Sequence, residues 1–346
     1  MTIHLGATVN ALIHTRRSFL GAIAVAGAAG FVRVPRVSAA EGALETTTVR
    51  ILKFPAVCVG PQYIAEELLR AEGFTEIRYV DAWESGLFSD QVGRGEADFT
   101  LEFAAKIVQT IDAGGAVTAL GGVHVGCYEL FAKDEIRSLA DLKGKTVGVQ
   151  IAGGSPHAFL TAIAAHVGLD PKQDIHWVTS TDPSVRPLEL FAAGKIDAFL
   201  GSAPEPQELR ARNVGHVIFN SIVDRPWSQY YCCMLTGYRD YVGKYPVATK
   251  RVLRAVLKAA DLCATEPARV ARSLVDRGIT ERYDFAVEAL RGIPYDKWRE
   301  YDPEDTIRYY ALRLHEVGFV KSSPQKIIAE GTDWRCLDEL KRELKA

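Results

Sequence analysis

Several kinds of chemistry leave no mark in this chain. Six cysteines (Cys58, Cys127, Cys232, Cys233, Cys263 and Cys336) are scattered, and none stands in a Cys-x-x-Cys or similar metal-ligand spacing. Their mostly apolar surroundings favour buried free thiols, although an even count in an exported chain permits disulfides. No Ser-His-Asp, metal or phosphate-loop constellation is visible, so no catalytic residue, cofactor or metal ligand is assigned. No basic patch and no interleaving of aromatic and basic residues points to nucleic acid. The apolar run Phe19–Val32 is too short, and too rich in Ala and Gly, for a good membrane span. Acidic residues are missing altogether from positions 1–40.

What is present suits a globular protein with an ample core: 346 residues, 48% hydrophobic and 24% charged. That length favours two lobes or domains. Positions 1–40 carry Arg16, Arg17, Arg33 and Arg36. Without those four, the 41 Lys and Arg become 37 against 43 Asp and Glu, a net charge of about −6. Thr15-Arg16-Arg17-Ser18-Phe19-Leu20 resembles the twin-arginine export motif, followed by a short apolar stretch and a small-residue cleavage site. Cleavage is expected after Ala40, leaving a soluble periplasmic protein. No lipobox cysteine stands near that junction, which disfavours a lipid anchor.

An internal repeat organises the middle of the chain. Val49–Phe54 matches Thr146–Ile151 as a first strand, and Gln62–Ala71 matches Pro156–Val167 as a helix. Gly73 and Gly168 stop those helices. Ile77–Val80 and Ile175–Val178 match as second strands. Gly95-Glu96-Ala97-Asp98 and Gly194-Lys195-Ile196-Asp197 both precede a third strand. Strands alternating with helices predict parallel α/β units, and two copies predict two α/β lobes. Ligands in such sheets bind beyond the carboxyl ends of the strands, so the loops after each strand become the candidates.

Cys127–Glu135 and Gln229–Val242 read as apolar strands that cross between the lobes and form a hinge. The expected organisation is a leader at 1–40, the first part of lobe 1 at 41–130 and lobe 2 at 131–230. The return to lobe 1, with C-terminal helices packed on it, occupies 231–346. Helices are predicted at Ala248–Ala264, Pro267–Arg277, Glu281–Leu290, Pro303–Val317 and Ser323–Ile328.

Three stretches resemble the substrate-binding proteins of ABC transporters, in the nitrate/sulfonate/taurine group and its relatives that bind thiamine-pyrimidine precursors. They are Asp141-Leu142-Lys143-Gly144-Lys145-Thr146-Val147-Gly148-Val149, Ala192-Ala193-Gly194-Lys195-Ile196-Asp197-Ala198, and Val167-Gly168-Leu169-Asp170-Pro171. The resemblance covers roughly Val49 to the C-terminus. It implies an α/β, two-lobed type II periplasmic-binding-protein fold with two crossover strands. It further implies a receptor that closes on a small molecule and delivers it to a membrane permease and ATPase, and a monomer is expected.

The loops supply candidate contacts. Gly153, Gly154, Ser155 and His157 open the first helix of lobe 2, where this group commonly receives an acidic ligand group. A plain reading competes: Gly for the turn, Ser155 as cap, Pro156 at the first helical position. Cys58 lies in the matching apolar loop of lobe 1. Trp83 and Ser85 follow the second strand, where Trp83 stacks on a ligand or fills core. Glu102 follows the third strand as a contact or a helix-start carboxylate. Glu205, between Pro204 and Pro206, suits a ligand amine or ring N–H, or simply starts a helix. His124 and Tyr230 precede the crossovers and line the hinge side, although a single histidine is more often structural. Arg186 is the basic residue nearest these loops, which are otherwise poor in Lys and Arg. That favours a zwitterion or a heteroaromatic acid over a bare oxyanion.

The resemblance extends to a pyrimidine-synthase branch of the same fold, whose cysteine-rich motif invites comparison with Cys232-Cys233. Only two adjacent cysteines stand here, and the export motif argues against a cytosolic synthase. A ligand-sensing module is the third alternative.

Overall fold

The computed structural model describes residues 42–83, 87–179 and 186–344. The expected leader, Glu84 and Ser85 lie outside the described residues.

The repeat read from the sequence is visible as strand order. The first sheet runs β2-β1-β3-β10-β4 and the second β7-β6-β8-β5-β9. Lobe 1 contributes β1 (Thr48–Lys53), α1 (Gly60–Ala71), β2 (Glu76–Asp81), α2 (Phe88–Gly93), β3 (Phe99–Phe103), α3 (Ala104–Asp112) and β4 (Val117–Val125). Lobe 2 contributes β5 (Tyr128–Ala132), β6 (Lys145–Val149), α4 (Ser155–His166), β7 (Ile175–Thr179), α5 (Pro187–Ala192), β8 (Ala198–Ser202), α6 (Glu205–Ala211) and β9 (His216–Asn220). β10 (Tyr231–Tyr238) returns to the first sheet. In each sheet three strands are parallel, and the crossover strand, β10 or β5, lies antiparallel between its neighbours. The chain leaves the first sheet at Gly126–Cys127, a little ahead of the boundary expected at 130, because Tyr128 already pairs with Ser202.

The repeated Gly-x-x-Asp has a mechanical reason. Gly95 and Gly194 adopt positive φ, +74° and +70°, to stop the preceding helix and aim the chain into the third strand. Asp98 then accepts from the Arg50 amide at 2.7 Å, and Asp197 from the Thr146 amide at 2.9 Å. Their own amides donate to the Arg50 and Thr146 carbonyls at 2.8 and 2.9 Å. Each aspartate thus clips the third strand to the start of the first.

After β10 the chain is helical: α7 (Arg239–Lys244), α8 (Pro246–Thr265), α9 (Pro267–Asp276), α10 (Tyr283–Gly292), α11 (Pro303–Glu316), α12 (Pro324–Gly331) and α13 (Arg335–Glu343). Among the described residues no helix is long and apolar enough to cross a membrane. α13 escapes a sequence reading because only Leu337 and Leu340 in it are buried, within a run of charge. The helices do not pack on lobe 1 alone. Tyr310 on α11 meets Phe103 of lobe 1 at 5.2 Å and Phe159 of lobe 2 at 6.2 Å. The C-terminal helices therefore join both lobes. One apolar core runs through the pair.

Candidate functional site

The carboxyl ends of β3 and β6 meet at one point. Glu102, 2% exposed, stands one residue before the end of β3 with its carboxylate turned toward lobe 2. The Ser155 hydroxyl donates to its Oε1 at 2.6 Å, while the Phe103 and Ser89 amides donate at 2.7 and 3.2 Å. Burial raises Glu102 to about 7, although those donors and nearby Lys106 favour its charged form and offset part of the shift. A second bridge joins the Val57 amide to the Ala203 carbonyl at 3.5 Å, between the loops after β1 and β8.

Ser155 is not the helix cap. Gly154 occupies the cap position and makes no side-chain bond there, so Ser155 is the first helical residue and Pro156 the second. Gly153, at φ +78°, turns the chain so that its amide donates to Nδ1 of His157 at 2.9 Å. The other side of that imidazole packs edge-on against Trp177, with ring centroids 4.5 Å apart, and against Phe319. His157 thus braces the turn from within the packing and has no contact with the lobe-lobe bridge.

That environment has a consequence for pH. Burial lowers His157 to about 4, so between pH 6.5 and 4 the unfolded chain binds the extra proton and the folded one resists it. Its contribution is complete above about pH 6.5 and is lost as pH falls through 4, a loss of about 3 kcal/mol. Glu102 and Glu205, both raised to about 7 by burial, act oppositely and favour folding as pH falls from 7 toward 4.5. Denaturant midpoints of the wild type and His157→Gln, measured from pH 7.5 to 4.5, isolate the histidine. The difference between them is expected to shrink as pH falls, and a constant difference would count against the buried neutral imidazole.

The remaining candidates occupy distinct places. Glu205 opens α6, half-buried, and accepts from the Ser202 amide at 3.2 Å and Gln150 Nε2 at 3.4 Å. Trp83 spends its indole N–H on Glu96 at 3.0 Å, with the Arg94 guanidinium over its ring. Tyr230 stacks on Tyr309 of α11 at 4.1 Å, and Arg186 pairs with Glu208. Cys58 and His124 lie deep beneath the crossover. Among the described candidates, Ser155 and Glu102 touch each other across the lobes, while Glu205 shares a loop with bridging Ala203.

Two features went unread in the sequence. Phe54, just after β1, and Phe88, which opens α2 after β2, stack at 3.7 Å and 11°. They are 34 positions apart, and only the parallel pairing of β1 with β2 aligns those segments. The second is the thiol cluster: Cys58, Cys127, Cys232 and Cys233 converge with His124 although no spacing announces it. A cavity of about 320 Å³ also lies between lobe 2 and α10, bordered by Glu129, Ala203, Gln207, Arg210, Asn220 and Glu288. Arg210 spans it, bonding Glu129 at 2.6 Å and Glu288 of α10 at 3.1 Å.

A family model described as NMT1/THI5 like matches residues 71–270. The chain belongs to the NMT1/THI5-like family. Among solved structures, the periplasmic nitrate-binding protein NrtA from Synechocystis PCC 6803 matches this NMT1/THI5-like protein with a TM-score of 0.74 and 14% identity, over 88% of this chain and 90% of that one. The alkanesulfonate-binding protein SsuA from Xanthomonas axonopodis pv. citri, bound to MOPS, has a TM-score of 0.68 and 18% identity over 84% and 100%. The desulfurization enzyme DSZB has 0.56 and 15% over 86% and 99%. At these identities the likeness is one of fold, and the fold is the two-lobed type II periplasmic-binding-protein architecture. No curated protein matches the chain.

Proposed function

We propose that this NMT1/THI5-like protein is an exported solute receptor that closes on a small organic molecule and hands it to the permease and ATPase of an ABC importer. The observation that carries this reading is the bridge from Ser155 on α4 to Glu102 on β3, made where the strand ends of both lobes converge. It is a latch between lobes, and a receptor of this fold holds its ligand by such closure. The names of the solved neighbours NrtA and SsuA, both binding proteins, support the class of function. The leader around Arg16-Arg17 supports export to a periplasm, with the mature chain beginning after Ala40.

The ligand class follows from the loops. The stacked pair of buried Phe54 and half-buried Phe88 gives the loops an aromatic wall, Glu205 and Gln150 offer polar partners, and Arg186 is held by Glu208. A sulfonate, a taurine-like zwitterion or a heteroaromatic acid fits better than a bare oxyanion. A thermal-shift panel of nitrate, alkanesulfonates, taurine, aromatic acids and pyrimidines tests this, because a tight ligand raises stability by mass action. Ser155→Ala and Glu205→Ala are each expected to weaken the best ligand about tenfold without unfolding the protein. Unchanged affinity in both sinks the site. Pyridoxal phosphate binding with turnover would instead assign the protein to the enzyme branch.

A further inference from the structure

Four cysteines and a histidine from separate parts of the chain meet beneath the passage between the lobes. Cys58 comes from the loop after β1, His124 from the end of β4, Cys127 from the passage into β5, and Cys232 and Cys233 from β10. None is more than 5% exposed. Their donor atoms form two triads, Cys58–His124–Cys233 and Cys127–Cys232–Cys233, with all separations inside each triad within 4.8 Å. Cys127 and Cys232 sulfurs are 2.9 Å apart. Adjacent strand residues ordinarily face opposite ways, but the β10–β4 register slips at Cys233, and such irregularities re-aim side chains.

His124 supplies the second, independent observation. Its Nδ1 lies 3.0 Å from the Gly126 carbonyl. A carbonyl only accepts, so Nδ1 carries the proton, and in the neutral ring Nε2 keeps its lone pair. That Nε2 is fully buried and has no hydrogen-bond partner. A histidine fixed through one nitrogen by a backbone carbonyl, with the other free, is the arrangement that orients metal-binding imidazoles.

We propose that four donors drawn from Cys58, Cys127, Cys232, Cys233 and Nε2 of His124 bind a thiophilic d10 cation, Zn(II) or Cu(I). The donor set is sulfur and imidazole without a carboxylate, which selects soft and borderline cations and rejects Mg(II) and Ca(II). Four ligands in a tetrahedron with Zn–S bonds of 2.3 Å place sulfurs about 3.8 Å apart, within the 4.8 Å limit of each triad, and Cys127 and Cys232, now at 2.9 Å, would separate as both bind. Each coordinating thiol releases its proton to solvent as its sulfur bonds the metal, with no change of oxidation state. The ion would staple β4 and β10 to the loop of β1 and to the start of lobe 2.

The test uses the full chain, purified without oxygen in a phosphine reductant and stripped by a chelator. Zn(II), Cu(I) under a competing chelator, and Co(II) as an optical probe of the Zn(II) geometry are titrated separately. The wild type is expected to retain about one equivalent through gel filtration. Cys263→Ser and Cys336→Ser, outside the cluster, should retain the same amount. Cys233→Ser, which breaks both triads, should weaken binding by about a hundredfold or more, and His124→Gln by about tenfold with a shifted Co(II) spectrum. Circular dichroism of the stripped proteins establishes that the variants fold; if Cys233→Ser does not, the Co(II) shift in His124→Gln decides. No retained metal, equal retention by Cys233→Ser and wild type, or an unshifted His124→Gln spectrum overturns the site. So does a Cys127–Cys232 disulfide that persists in the reductant.

Discussion

Phe159→Ala is expected to cost roughly 3–5 kcal/mol, the range for emptying a buried phenylalanine site. Phe159, 1% exposed on α4, touches rings from every part of the molecule. Phe103 of lobe 1 lies at 4.7 Å, Tyr128 and Phe219 of lobe 2 at 5.2 and 5.8 Å, and Tyr310 of α11 at 6.2 Å. Those partners sit on separate elements and cannot collapse together into the gap, which places the loss toward the upper end. Calorimetry should show a fall in melting temperature on the order of 10 °C. Small-angle scattering should show a larger radius of gyration, because the same ring holds α4 against lobe 1. A melting temperature within a degree or two of the wild type would mean the cluster does not couple the lobes.

Gly122→Ala is the second large effect, and it arises from excess volume. A Cβ on Gly122 of β4 would stand 2.2 Å from ring carbons of Tyr231. Tyr231 is fully buried, and its hydroxyl shares its one proton between the carbonyls of Trp298 and Tyr301 at 2.7 and 2.9 Å. Moving the ring therefore breaks buried hydrogen bonds as well as packing, a cost of about 3 kcal/mol or more. Gly292→Ala is the internal control. A Cβ there meets nothing within 4 Å, so a change within about 0.5 kcal/mol is expected from denaturant titration. Similar losses in both variants would refute the steric account.

The repeat shows how far local signals reach. Gly95…Asp98 and Gly194…Asp197 were legible because turn, helix stop and strand start are decided by neighbours a few residues apart. Two copies of the pattern then implied two α/β lobes, and the two sheets share one strand order. The C-terminal helices were legible wherever apolar residues recur at helical spacing. α13 was not, since two buried leucines among charges carry too weak a period.

Ser155 shows where local signals stop. Its place at the mouth of α4 was readable from Gly153-Gly154-Ser155-Pro156, but its partner was not. Glu102 lies 53 positions away and reaches it only because two sheets face each other. His157 looked equivalent to Ser155 two residues earlier. The helical turn between them points one side chain at lobe 1 and the other into Trp177.

By itself, then, the sequence determined the lobed α/β architecture and the loops at its strand ends, since both follow from period, turn chemistry and capping within short windows. The tertiary structure alone decided which of those loops touch, which histidine is packing, and that scattered cysteines share one buried point. Contacts between residues far apart in the chain depend on register and lobe closure, and neither leaves a trace in local composition.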